Sequence, residues 1–88
     1  MSGAREPGDS TGAVGGLVEF MARSVVDEPD EVRVEQEEDE GYIIYQLHVA
    51  EDDVGKVIGR RGRVAKAMRT LLKVAAIKNN ERSILEIE

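Results

Sequence analysis

Val54-Gly55-Lys56-Val57-Ile58-Gly59-Arg60-Arg61-Gly62-Arg63 is the stretch on which the reading of this chain turns. Two glycines bracket two arginines, an apolar pair precedes them, and a long amphipathic pattern follows. Gly59 and Gly62 admit backbone conformations and close approaches that a Cβ blocks. Guanidinium groups beside exposed main-chain N–H groups suit phosphate, and a helix starting here adds the positive end of its dipole. These residues point to a polyanionic ligand, single-stranded nucleic acid foremost.

Downstream of the loop, Val64, Ala65, Met68, Leu71, Leu72 and Ala75 form an apolar stripe, while Lys66, Arg69 and Lys73 mark a solvent face. This predicts a helix over about 63–78, stopped by Asn79-Asn80. Ser83 to Glu88 alternates Leu85 and Ile87 with Glu86 and Glu88, the pattern of a closing strand. Upstream, Glu51-Asp52-Asp53 suits the start of a short helix, about 52–58, which Gly59 ends. Gly55, inside it, is expected to pack against a neighbouring helix. Residues 42–49 alternate, with Ile43, Tyr45, Leu47 and Val49 facing the core. Val32 and Val34 alternate with Arg33 and Glu35 in a strand over about 31–37, joined to the next by a polar turn at Glu37–Gly41. Val14, Leu17, Val18, Met21, Ala22 and Val25 follow helical spacing over about 14–27, and Pro29 bars continuation. Phe20 falls off that stripe, either half-exposed or in an oligomer interface. Residues 1–13 have no periodicity and read as a flexible tail. The order α-β-β-α-α-β predicts an α+β domain over 14–88, with three helices packed on one face of a three-stranded sheet.

Eighty-eight residues suffice for one small domain. The chain has no cysteine, which excludes disulfides and thiolate metal sites and suits a reducing compartment. Nothing resembles a signal peptide, and no apolar run is long enough to cross a bilayer. The expectation is a cytoplasmic protein with no membrane partner. The formal net charge is −6, unevenly spread: residues 1–53 hold three basic and fifteen acidic side chains, and residues 54–88 hold nine basic and three acidic. Such asymmetry suits polyanion binding by the basic half. Attraction between the two halves inside one fold is the alternative, and the two are compatible.

Enzyme motifs fail on inspection. Gly55-Lys56 is followed by Val57 rather than Ser or Thr, so it is no Walker A loop, and Gly59-Arg60-Arg61-Gly62 lacks the third glycine of a dinucleotide fingerprint. His48, the sole histidine, has no cysteine or second histidine to share a metal. The acidic run Glu37–Glu40 lacks the spacing of a calcium loop. The expectation is recognition alone, with no catalytic residue, metal, cofactor or small-molecule substrate.

Val57-Ile58-Gly59-Arg60-Arg61-Gly62-Arg63-Val64 resembles the signature of a KH domain, an apolar pair followed by a GxxG loop, and the element order is that of its type II form. The likeness to the small bacterial KhpA-like KH proteins extends over about 14–88. It is carried by Leu17, Phe20-Met21-Ala22, Ser24-Val25-Val26-Asp27 and Pro29, by Val49-Ala50-Glu51-Asp52 and Gly55 to Gly59, and by Ala65-Lys66-Ala67 and Arg69-Thr70. The resemblance implies a groove for single-stranded RNA, about four nucleotides long, clamped at the GxxG backbone. The clamp would be Gly59, Arg60, Arg61 and Gly62. Val57, Ile58, Val64 and Ile44 would floor the groove, and Lys56, Arg63 and Lys66 would add phosphate contacts. With no aromatic residue in the motif, weak and salt-sensitive binding is expected. The family also implies a homodimer, or a heterodimer with a larger KhpB/Jag-like KH protein, and a link to RNA regulation and cell elongation. A subunit that mainly supports such a partner, with little RNA affinity of its own, is the alternative; single-stranded DNA is a further possible ligand.

Overall fold

In the computed structural model, which describes residues 12–88, Val14, Val18 and Ala22 are buried on one stripe of helix α1 (Gly12–Val25). Gly12 and Ala13, expected in the tail, form its first turn; residues 1–11 of that expected tail lie outside the described residues. The helix stops at Val25, short of the expected 27, and a 3₁₀ turn opens at Pro29, a first position where the missing N–H of proline costs nothing.

Strands β1 (Arg33–Asp39) and β2 (Tyr42–His48) form an antiparallel hairpin, with Asp39 opposite Tyr42. The hairpin corrects the expected turn. Glu37, Glu38 and Asp39 are strand residues paired with Ile44, Ile43 and Tyr42, and the turn is only Glu40-Gly41, at φ 51° and 86°. Two consecutive positive φ values match the right-handed twist of a hairpin, so pairing extends through the acidic run. Val32 and Val34 are buried as expected, as are Tyr45 and Leu47, whereas Ile43 and Val49 are half-buried at the margin.

A 3₁₀ turn, Glu51–Asp53, leads into α2 (Val54–Ile58). Asp53 is 1% exposed, and its carboxylate oxygens accept the N–H groups of Asp27 (3.2 Å) and Glu28 (3.0 Å). The chain leaving α1 is thereby latched to the start of α2. Removing the carboxylate would leave two N–H groups without their acceptor. Asp53→Ala is expected to cost about 2 kcal/mol and lower the melting midpoint by roughly 8–16 °C, with Asp53→Asn intermediate, read by thermal denaturation.

Helix α3 (Arg63–Lys78) returns the chain, and β3 (Ser83–Ile87) adds parallel to β2, opposite Ile43 to Leu47. The sheet order is β1-β2-β3, so among the described residues the outer edge of β3 is free. Ala65, Met68, Leu72 and Ala76 are the buried positions of α3. They join Val57, Leu85 and the buried residues of α1, β1 and β2 around one core. Leu71, expected in that stripe, is instead 51% exposed, because it lies at the margin of the apolar face, beyond the reach of the sheet. Gly55 is also corrected: among the described residues nothing lies within 4 Å of where its Cβ would be, so it packs against no described helix.

The loop after α3 is pinned from beneath. The Tyr45 hydroxyl donates to Glu81 Oε1 (3.0 Å), as does Ser83 Oγ (3.2 Å). Burial, reinforced by the hydrogen bond to Glu81 and by its charge, pushes the Tyr45 phenol far above its ordinary pKa of 10.0. The neutral phenol is therefore favoured in the folded state. Its contribution is complete below the unfolded value and is lost as pH rises beyond it. Wild-type stability is expected to fall above pH 10, and Tyr45→Phe to flatten that fall while costing about 1 kcal/mol at neutral pH, read by denaturant titration against pH.

Candidate nucleic-acid interface

The loop between α2 and α3 is a tight turn. Gly59 has φ 78° and ψ 172°, Arg61 φ 59°, and Gly62 φ 73°. Gly62 N–H donates to Gly59 O (3.0 Å), closing the turn, and Gly59 N–H caps α2 on Gly55 O (2.8 Å). A Cβ on Gly59 would come within 2.9 Å of the Val64 backbone nitrogen, whereas one on Gly62 would meet nothing within 4 Å. Gly59 therefore permits close packing of the loop on α3, and Gly62 permits the reversal of direction. Arg61 holds a left-handed conformation despite its side chain, a cost of about 1–2 kcal/mol that surrounding structure must offset.

Arg60, Arg61, Arg63 and Lys66 are all exposed. Among the described residues, no ion pair involves any of them. Lys56 does have one, with Asp27 (3.3 Å), so its charge is already partly satisfied. Val57 is 0% exposed and belongs to the core beneath the loop rather than to a surface a base could touch. Ile58 remains exposed beside the turn. Val64 is half-buried, and it lines, with Arg63, an apolar cavity towards α1. Ile44 lies on the sheet face opposite to Tyr45 and Leu47, away from the helices, by strand alternation. Of the ten residues nominated from sequence, Lys56, Ile58, Arg60, Arg61, Arg63 and Lys66 are thus exposed, Gly59, Gly62 and Val64 half-buried, and Val57 buried.

Sequence reasoning assigned Arg69 and Lys73 to a plain solvent face. With Lys66 they recur at three- and four-residue intervals, so they form one stripe of α3, and Arg69 and Lys73 line a groove of about 530 Å³ between α3 and the free edge of β3. Arg69 Nη2 donates to Leu85 O (3.4 Å), bridging helix and strand. The spacing was the available signal, but the neighbour across the groove, β3, could not be read from it. The acidic side chains gather elsewhere: Asp27, Glu28, Glu31, Glu51 and Asp52 surround a cavity at the far end of α2. Negative charge is thus concentrated at that end and positive charge at the turn. His48 pairs with Glu35 on the outer sheet face (3.2 Å). No group of three or more His, Cys, Asp or Glu among the described residues is placed to hold a metal ion, and no described helix is long and apolar enough to cross a membrane.

A GxxG turn joining two helices, set against a sheet in which β2 and β3 run parallel and β1 is antiparallel, defines a type II KH domain. The chain belongs to the family described as KhpA/KhpB, KH domain, whose match covers residues 16–87. It is 54% identical over 71 residues to the RNA-binding protein KhpA of Clostridium acetobutylicum, covering 81% of this chain and 95% of that one. It is 52% identical to RNA-binding protein KhpA of Borreliella burgdorferi over 81% of this chain and 87% of that one. A third relative, RNA-binding protein KhpA of Caldanaerobacter subterraneus, is 49% identical, with 84% and 99% covered.

Proposed function

We propose that this protein binds single-stranded RNA, about four nucleotides per domain, by laying the sugar–phosphate backbone on the Gly59–Gly62 turn. The observation that carries this reading is an exposed, left-handed turn flanked by arginines that no described carboxylate neutralises. Arg60 and Arg61 would meet phosphate from above, Ile58 would meet a base, and Lys66 would extend the charged track; Arg63, Val64, Val57 and Lys56 would hold the turn in place. The naming of its relatives as RNA-binding proteins supports the same reading. The test is fluorescence anisotropy with single-stranded RNA, duplex RNA and single-stranded DNA at two salt concentrations. Single strands are expected to bind, duplex not, and affinity to fall steeply with salt. Equal binding of duplex, or none of any strand, overturns the reading.

The resemblance to KhpA-like proteins extends the proposal to a cytoplasmic RNA chaperone or post-transcriptional regulator linked to cell elongation, acting as a homodimer or with a KhpB/Jag-like partner. Two weak sites on one RNA bind far more tightly than either alone. An apolar strip on α1 and α3 supports pairing: Phe20, 69% exposed, lines one cavity with Val25 and Leu71, which are also exposed. The same strip favours the second reading, a subunit that chiefly supports a larger partner. Leu71→Glu is expected to shift sedimentation from dimer to monomer with the fold intact. Single-site RNA affinity should be unchanged under the first reading. If wild type retains a partner protein but no RNA, the second reading stands.

A further inference from the structure

The groove along α3 does not end at β3. It is lined by Ser83 and Leu85, which face the helices, and by Ile84, which faces the other way, so it straddles the free strand edge. Ile84 is the register partner of Ile44 and shares its face of the sheet, and by the same alternation so does Tyr42. At this end of the groove stand Tyr42, 40% exposed, and Arg82. The Arg82 guanidinium lies over the Tyr42 ring, 5.6 Å from its centroid. The pair is built into the backbone, because Ile43 N–H donates to Arg82 O (2.8 Å), fixing the two residues side by side.

We propose that Tyr42 and Arg82 form a stacking platform for one further unpaired base of an RNA strand whose phosphates rest on the Gly59–Gly62 turn. The inference rests on the RNA-binding reading above and extends its footprint. Helix α3 carries the strand from turn to platform: Lys66, Arg69 and Lys73 mark successive turns, a rise of about 1.5 Å per residue. Arg69, Lys73 and Arg82 outnumber the one carboxylate lining the groove, Glu81, whose Oε1 already accepts from Tyr45 and Ser83. An aromatic ring and a guanidinium plane are both surfaces on which an unstacked base rests, with little dependence on which base it is. The expected result is added affinity without added sequence specificity.

The test uses the full chain and labelled ribo-oligonucleotides of randomised sequence, about four and about eight nucleotides long. Tyr42→Leu is expected to lose about 5- to 30-fold on the longer RNA and under about twofold on the shorter. Tyr42→Phe retains wild-type binding, because its ring still stacks. Arg82→Gln, which keeps the backbone bond to Ile43, weakens the longer RNA alone, by about 3- to 10-fold. A 2-aminopurine placed at either terminus of the longer RNA is expected to be quenched by wild type at one end, and not by Tyr42→Leu. If Tyr42→Leu and Arg82→Gln leave the longer RNA bound as wild type does, the platform is overturned while the loop reading stands. Equal losses on both lengths also overturn it. If wild type binds neither RNA at low salt, the loop reading falls and the platform with it.

Discussion

Gly59→Ala is expected to destabilise this protein by about 3–5 kcal/mol and to lower its melting midpoint by roughly 12 °C or more, although it adds a single methyl group. The backbone of Gly59 sits at φ 78°, ψ 172°, a region open essentially to glycine alone. The new Cβ would also lie 2.8 Å from Val64 Cβ and 2.9 Å from the Val64 backbone nitrogen. A side chain can rotate away from such an approach, but the first turn of α3 cannot. Gly62→Ala is the natural comparison. Its φ of 73° is also left-handed, yet nothing lies within 4 Å of the added carbon, so about 1–2 kcal/mol is expected, and less for Gly62→Asn. Domains of this size are held by only about 5–15 kcal/mol, so the two variants separate clearly in a denaturant titration. Equal midpoints for the two would mean that Gly59 is not packed on Val64.

Reversing the loop charges is expected to have the largest effect on binding. Arg60→Asp combined with Arg61→Asp changes the local charge from +2 to −2. Affinity for single-stranded RNA is expected to fall by about 100-fold or more at physiological salt, and the slope of log affinity against log salt to flatten by about two. The variant is a clean test because the fold has little reason to object. Both arginines are exposed, neither is in an ion pair with a described residue, and aspartate tolerates the left-handed conformation of Arg61 better than arginine does. Circular dichroism and the melting midpoint should match wild type. Unchanged affinity with an unchanged salt slope would remove the turn from the binding surface.

Much of this was legible in the residues, and the exceptions have physical causes. The order of elements and the 63–78 helix follow from apolar periodicity, which the core of a two-layer domain enforces. The acidic run Glu37–Glu40 read as a turn because charge predicts solvent. Solvent and strand are compatible, however, when only one face of a hairpin is covered, and the hairpin carries Glu37–Asp39 past the helices. Leu71 read as core because an apolar stripe has no visible edge in sequence; only the width of the sheet decides where burial stops. Val57 and Ile58 read alike as groove floor, but consecutive helical residues face different ways, and one went to the core while the other stayed outside. Tyr42 was invisible as a groove residue because its place depends on β3, more than forty positions away in the chain. The place of the GxxG turn was readable, since glycine spacing is a local signal, but the left-handed Arg61 and the seating of Gly59 on Val64 were not.

The seating of Gly59 against Val64 has a kinetic consequence. A turn packed on the first residues of a long helix would keep its shape when a ligand arrives, so association would need little ordering. Charge steering would then set the encounter rate, and the contacts made at the turn the escape rate. On the RNA-binding reading proposed above, such a site would sample many single strands in quick succession and dwell only where a second site on the same strand engages as well.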